Sequence, residues 1–184
     1  RINARKHDDD VLSDDSVELF LQPGDNAKMR EFDINSIGTL FDAQSEKGDL
    51  WKTRDASWNS DAKVAGVQED GYWSAELAIP WKAFGLNSAP ANGASWTLGL
   101  ARHATGRGES SSWNQNDAAS IHLMNNFGTL IFDSQVPAIT PQPIASFEAG
   151  KSTFTVQTSQ ALDINVDLIG DKKTQQFMGK TVSP

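Results

Sequence analysis

Cysteine is absent from this chain of 184 residues, which excludes disulfides, thiolate zinc centres and covalently attached haem. Cationic residues are in deficit: 16 Lys and Arg face 24 Asp and Glu, for a formal net charge of -8. Such a surface has no basic patch with which to displace phosphate counterions, so nucleic acid is excluded as a partner. No apolar run is long enough to cross a bilayer, and membrane insertion is not expected. A Gly-x-Ser-x-Gly elbow, a His-Glu-x-x-His helix and a phosphate loop are all missing, so no standard catalytic signature is present. What remains is an acidic chain suited to a neutral ligand or to a bound cation such as calcium.

The residues that are present alternate. From Trp73 to Ile79 every second side chain is apolar, the period of a strand with one buried face. Asp70-Gly71 precedes it as a turn, Pro80 ends it, and Trp81-Lys82-Ala83-Phe84-Gly85 fits one helical turn closed by glycine. This pattern predicts the central strand of a sandwich, with Trp73, Trp81 and Trp96 in its core. Ser16 to Gln22, Met29 to Asn35 and Thr39 to Phe41, joined by turns at Pro23-Gly24 and Asn35–Gly38, predict an antiparallel meander. Lys63 to Val67 pairs with the Trp73 strand, and Trp96, Leu98, Leu100 and Arg102 share one face of a further strand. The fold class expected is all-β, an antiparallel β-sandwich of jelly-roll or immunoglobulin-like topology.

Four stretches taken in order, Asp14–Leu21, Phe32-x-x-Asn35-x-x-Gly38, Gly71–Gly85 and Phe127–Phe132, resemble those of family 9 carbohydrate-binding modules and their DOMON-like relatives. The resemblance covers roughly residues 1 to 133. It implies a non-catalytic module that binds polysaccharide or oligosaccharide, appended to neighbouring domains of a secreted or surface polysaccharide-active protein. A purely structural docking module is the alternative. A haem-binding DOMON-type domain is a second, with Met29, Met124, His103 and His122 as the available ligands.

Further strands precede the matched region in that family, so the sandwich is expected to be N-terminally incomplete. Residues 134–148 form a proline-rich linker, and 149–184 predict a small partial β segment of immunoglobulin-like character.

Candidate site residues come from two loops and one strand pair. Residues 104–119 are rich in Gly, Ser, Asn and Gln around Trp113. A flat ring stacks on sugar C–H faces, and flanking Asn114 and Gln115 both donate and accept hydrogen bonds. Trp51, in the polar stretch 42–62, is either a second platform or a plug at the end of the sandwich. Arg102 ends an apolar face; it is expected either to turn inward to a buried partner, for which Glu18 is the candidate, or to donate its planar fork to sugar hydroxyls. The acidic run around Asp8, Asp10 and Asp15 is either a solvated turn or a calcium site, and structural calcium in the resembled family favours the latter. The resembled modules hold sugar between two tryptophans, and Leu12 stands where one of them belongs, which puts the ligand in question while leaving the fold intact.

Overall fold

The structure, a computed structural model, describes residues 2–24, 27–46, 50, 52–113, 122, 127–134, 136, 139–141, 156–158, 161, 163–170 and 173–180. The chain divides into two compact units, Arg1–Phe132 and Asp133–Pro184.

In the first unit one antiparallel sheet runs through β1 (Ser16–Pro23), β2 (Met29–Asn35), β3 (Leu40–Ser45), β6 (Ser95–Ala104) and β7 (Glu109–Ser112), in the order β3-β2-β1-β6-β7. A further strand, β8 (Gly128–Ile131), pairs with the Ser95–Leu98 half of β6. A two-stranded hairpin, β4 (Lys63–Glu69) with β5 (Tyr72–Ala78), forms a second layer.

Strand alternation sorts the large sheet into two unlike faces. Leu19 lies opposite Phe32 on one side and Leu100 on the other; Val17 pairs with Ile34, and Leu21 with Leu98. This apolar face, which includes Trp96, packs against Val64, Ala75 and Leu77 of the hairpin, and against Trp58 and Phe84. Its centre is aromatic, with Trp96 4.6 Å from Phe84 and 4.9 Å from Phe132 between ring centroids. Arg30 crosses Trp58 and donates from Nε to the Ala83 carbonyl at 2.9 Å, which ties the 3-10 turn Trp81–Phe84 to β2. The opposite face carries Ser16, Glu18, Gln22, Glu31, Asp33 and Asn35, all buried.

Three sequence expectations change. The Tyr72–Ala78 strand belongs to the covering hairpin, and β1 is the middle strand of the large sheet. Period-two alternation reports one buried face, which a covering hairpin and a central strand share equally. Trp81 is 37% exposed and meets Trp96 and Phe132 edge-on, so it roofs the core instead of filling it. Trp81→Ala should therefore cost about 1–2 kcal/mol in denaturant unfolding, short of the 3–5 typical of a buried tryptophan. Arg102 is exposed, since the layer covering Trp96 and Leu98 leaves the far end of β6 in solvent. It needs no buried partner.

The described residues of the second unit form two antiparallel pairs. Short strands β9 (Ile139–Pro141) and β10 (Val156–Thr158) pair, so part of the proline-rich stretch is itself a strand; β11 (Asp163–Gly170) pairs with β12 (Lys173–Lys180).

Candidate functional site

The polar face of the large sheet gathers three buried carboxylates. Antiparallel register sets Glu18 of β1 directly across from Asp33 of β2, with Glu31 two residues along. One ligand atom from each of the three lies within 4.8 Å of the others. Three like charges at that spacing need compensation, and each is handled differently. Glu18 accepts hydrogen bonds from two imidazoles: His103 Nε2 to Oε2 at 2.8 Å and His122 Nε2 to Oε1 at 3.0 Å. His103 is held in turn by Ser110 Oγ at 2.8 Å from Nδ1. Burial pushes the Glu18 carboxyl up, but the hydrogen bonds from His103 and His122 outweigh it and hold the group at about 2. Glu31 receives the fork of Arg54, with Nε to Oε2 at 2.9 Å. Asp33 faces the same Arg54 guanidinium from farther away, at 3.6 Å. Burial, then the charges of Glu31 and Glu18, push its carboxyl well above the usual range. Glu18 is thus held in its charged form, while burial and its acidic neighbours disfavour charge on Asp33.

Beside this cluster opens a cleft of about 230 Å³, lined by Asp8, Asp9, Asp10, Val11, Leu12, Asp33, Phe41 and Arg54. Its rim is the N-terminal segment, which local hydrogen bonds fix. The Asp14 carboxylate accepts from the backbone N–H of Asn3 and Ala4 at 2.7 and 2.9 Å and from Asn35 Nδ2 at 3.0 Å. Asp9 Oδ2 accepts from the N–H groups of Arg5 and Lys6, both at 2.8 Å. Ala4 and Val11 then pack on Phe41 and Ala43. Arg54 lies over the Phe41 ring at 4.3 Å, so its planar guanidinium is both stacked and aligned. The cleft therefore offers carboxylates that accept from hydroxyls, a guanidinium that donates, and an aliphatic floor.

The structure brings only some of the sequence-predicted residues together. Glu18 is fully buried beneath this face. Arg102 pairs with Val17, so it lies on the opposite face from Glu18, and the two do not meet. Trp113 is 61% exposed; its N–H donates to the Leu100 carbonyl at 2.9 Å, two residues beyond the Arg102–Ser111 pair, which puts it on the Arg102 side. Asn114, Gln115 and Trp51 lie outside the described residues, as does Met124.

Among the described residues, two groups converge as a metal site would: Glu18–Glu31–Asp33 and His7–Asp8–Asp42. Asp8 joins the second. Asp10 faces the cleft, and Asp15 Oδ1 accepts from Gly106 N–H at 3.4 Å, so the set Asp8, Asp10 and Asp15 is not assembled.

Sequence reasoning offered His103 and His122 only as haem ligands, and missed Glu31, Asp33 and Arg54 as site members. A signal existed for the carboxylates: Met29–Asn35 sets Glu31 and Asp33 at alternate positions, and the strand before it, Ser16–Gln22, carries Glu18. Pairing them puts Glu18 beside Asp33 on one face. For Arg54, in an irregular stretch, the sequence carries no comparable signal.

Comparison with known proteins follows the same outline. The sequence profile described as carbohydrate family 9 binding domain-like matches residues 2–134. Among solved structures, a candidate carbohydrate-binding protein from Bacteroides uniformis ATCC 8492 superposes with a TM-score of 0.55 at 19% sequence identity. The match covers 71% of this chain and 66% of that one, a likeness of fold. No curated protein matches the chain.

Proposed function

Because the chain belongs to the carbohydrate family 9 binding domain-like family, we propose that its first unit seats a glycan in the cleft between the N-terminal rim and Arg54. One observation carries this reading: Arg54 stacks on Phe41 and binds Glu31 with its fork, so the direction of its guanidinium is already fixed where the cleft opens. Preorganised donors lose little entropy on binding, which is what weak neutral ligands require. Leu12 lines the same cleft and supplies apolar contact without a ring face, so hydrogen bonding takes a larger share of recognition than stacking does. The ligand we favour is a neutral plant or algal glycan.

The unit acts without catalysis of its own, as the binding part of a polysaccharide-active protein that is exported or held at the cell surface. No helix among the described residues is long and apolar enough to cross a membrane. Haem is not favoured, since His103 and His122 both direct Nε2 to Glu18.

Retention on insoluble polysaccharides tests the reading. Arg54→Ala should weaken retention at least about tenfold, the order of one lost charge-assisted hydrogen-bond pair. Trp113→Ala should leave it within about twofold. The reverse ranking would place the glycan on the Trp113 face, whose exposed Leu100 and Arg102 support that second reading.

A further inference from the structure

At the margin of the cleft, whose lining includes Asp8, β3 carries a carboxylate that the fold leaves half satisfied. Asp42 is 0% exposed, held under the segment that leads into β4. Its Oδ2 accepts from the Ser60 backbone N–H at 2.9 Å and from the Ser60 hydroxyl. Among the described residues its Oδ1 has no hydrogen-bond donor. A buried carboxylate oxygen without a donor is costly, because nothing replaces the water it gave up.

That oxygen faces His7. His7 Nε2 lies 3.9 Å from Asp42 Oδ1, too far for a hydrogen bond, while Nδ1 of the same ring is 2.9 Å from Asp8 Oδ2. His7 and Asp8 are both exposed at the β3 edge, where the Asp8 N–H donates to the Leu40 carbonyl at 3.0 Å. One ligand atom from each of His7, Asp8 and Asp42 lies within 4.8 Å of the others. Metal–ligand bonds of about 2.0–2.2 Å put neighbouring ligand atoms roughly 3–4 Å apart, so a small closure of the exposed pair completes the geometry.

We propose that His7, Asp8 and Asp42 form a binding site for a divalent transition-metal ion, Zn²⁺ being the best fit. The donor set decides the class. Calcium takes six to eight oxygens, whereas one imidazole with two carboxylates suits zinc and its first-row neighbours. Charge agrees: a dication balances two carboxylates beside a neutral imidazole and satisfies the orphaned Asp42 oxygen. Ser60, bonded to the other Asp42 oxygen, fixes the carboxylate's direction, the role that outer hydrogen bonds play at metal centres. Exposure of His7 and Asp8 provides the entry path and leaves coordination positions open to water.

Calorimetric titration of metal-stripped protein with Zn²⁺ at neutral pH, paired with thermal melts, tests the site. One equivalent should bind and raise the melting temperature, and chelator should reverse the rise. His7→Ala, at an exposed position, should fold normally and weaken Zn²⁺ binding at least about tenfold; Asp42→Asn should do the same if it folds. A folded wild type whose melting ignores Zn²⁺ overturns the proposal. So does a His7→Ala variant that binds as tightly as wild type. A shift produced by Ca²⁺ but not by Zn²⁺ overturns the assignment of metal class.

Discussion

Gly66→Ala should destabilise the first unit by about 3 kcal/mol or more, at the upper end of what overpacking costs. A methyl group at Gly66 would press on the backbone nitrogen of Gly38, and would meet Ile37 C at 2.7 Å and Ser36 O at 2.8 Å. All three neighbours are backbone atoms, so no side chain can swing away. The contact is also where the hairpin docks on the β2–β3 turn. Gly38 there has φ +79°, and Asn35 Oδ1 braces the turn by accepting from the N–H of Ile37 and Thr39 at 3.2 and 2.9 Å. Relief must therefore lift the hairpin and expose Val64, Ala75 and Leu77, which it buries against the large sheet. Gly106, with nothing near its notional Cβ and no positive φ, is the control, and Gly106→Ala should be close to neutral. Urea unfolding of the two variants makes the comparison; equal stabilities would refute the close approach.

Glu18→Ala should cost about 3–5 kcal/mol at pH 7, the range seen when one partner of a buried charged network is removed. Two imidazoles lose their acceptor at once. The loss should depend on pH in a definite sense. Glu18 is held at about 2 in the fold against an ordinary 4.5, so its contribution is complete above about 4.5 and disappears as pH falls toward 2. The gap between wild type and Glu18→Ala should narrow over that window. Asp33 acts in the opposite sense: its carboxyl is raised in the fold, so it favours the folded state in acid and opposes it as pH climbs past the ordinary carboxylate range. Thermal melts from pH 7 to pH 2 separate the two. A cost for Glu18→Ala that stays constant across that range would mean packing, and not charge, holds the cluster together.

These residues also mark how much the sequence reveals. Strand alternation located β1, β2, β4 and β5 closely, because side-chain period depends only on local backbone geometry. Which strand lies at the centre is a question of pairing, and Tyr72–Ala78 carries no residue that distinguishes a covering hairpin from a central position. Arg102 failed for a related reason. Its parity with Trp96, Leu98 and Leu100 is correct, but burial of a face need not extend the full length of a strand. The cleft was legible only in fragments. Glu18 and Leu12 were singled out on motifs, whereas Arg54 reaches Glu31 across 23 positions of sequence from an irregular segment. Long-range contacts of that kind leave no periodic trace.

The central claim is that the glycan sits on the Glu18 side of the sheet. Backbone amide chemical-shift mapping during titration with a soluble neutral oligosaccharide tests it most directly, since it reports which residues feel the ligand without any substitution. The account predicts perturbations at Asp8–Leu12, Asp33, Phe41 and Arg54, with Leu100, Arg102 and Trp113 unmoved. Shifts concentrated at Leu100, Arg102 and Trp113, with the Asp8–Leu12 rim silent, would contradict it.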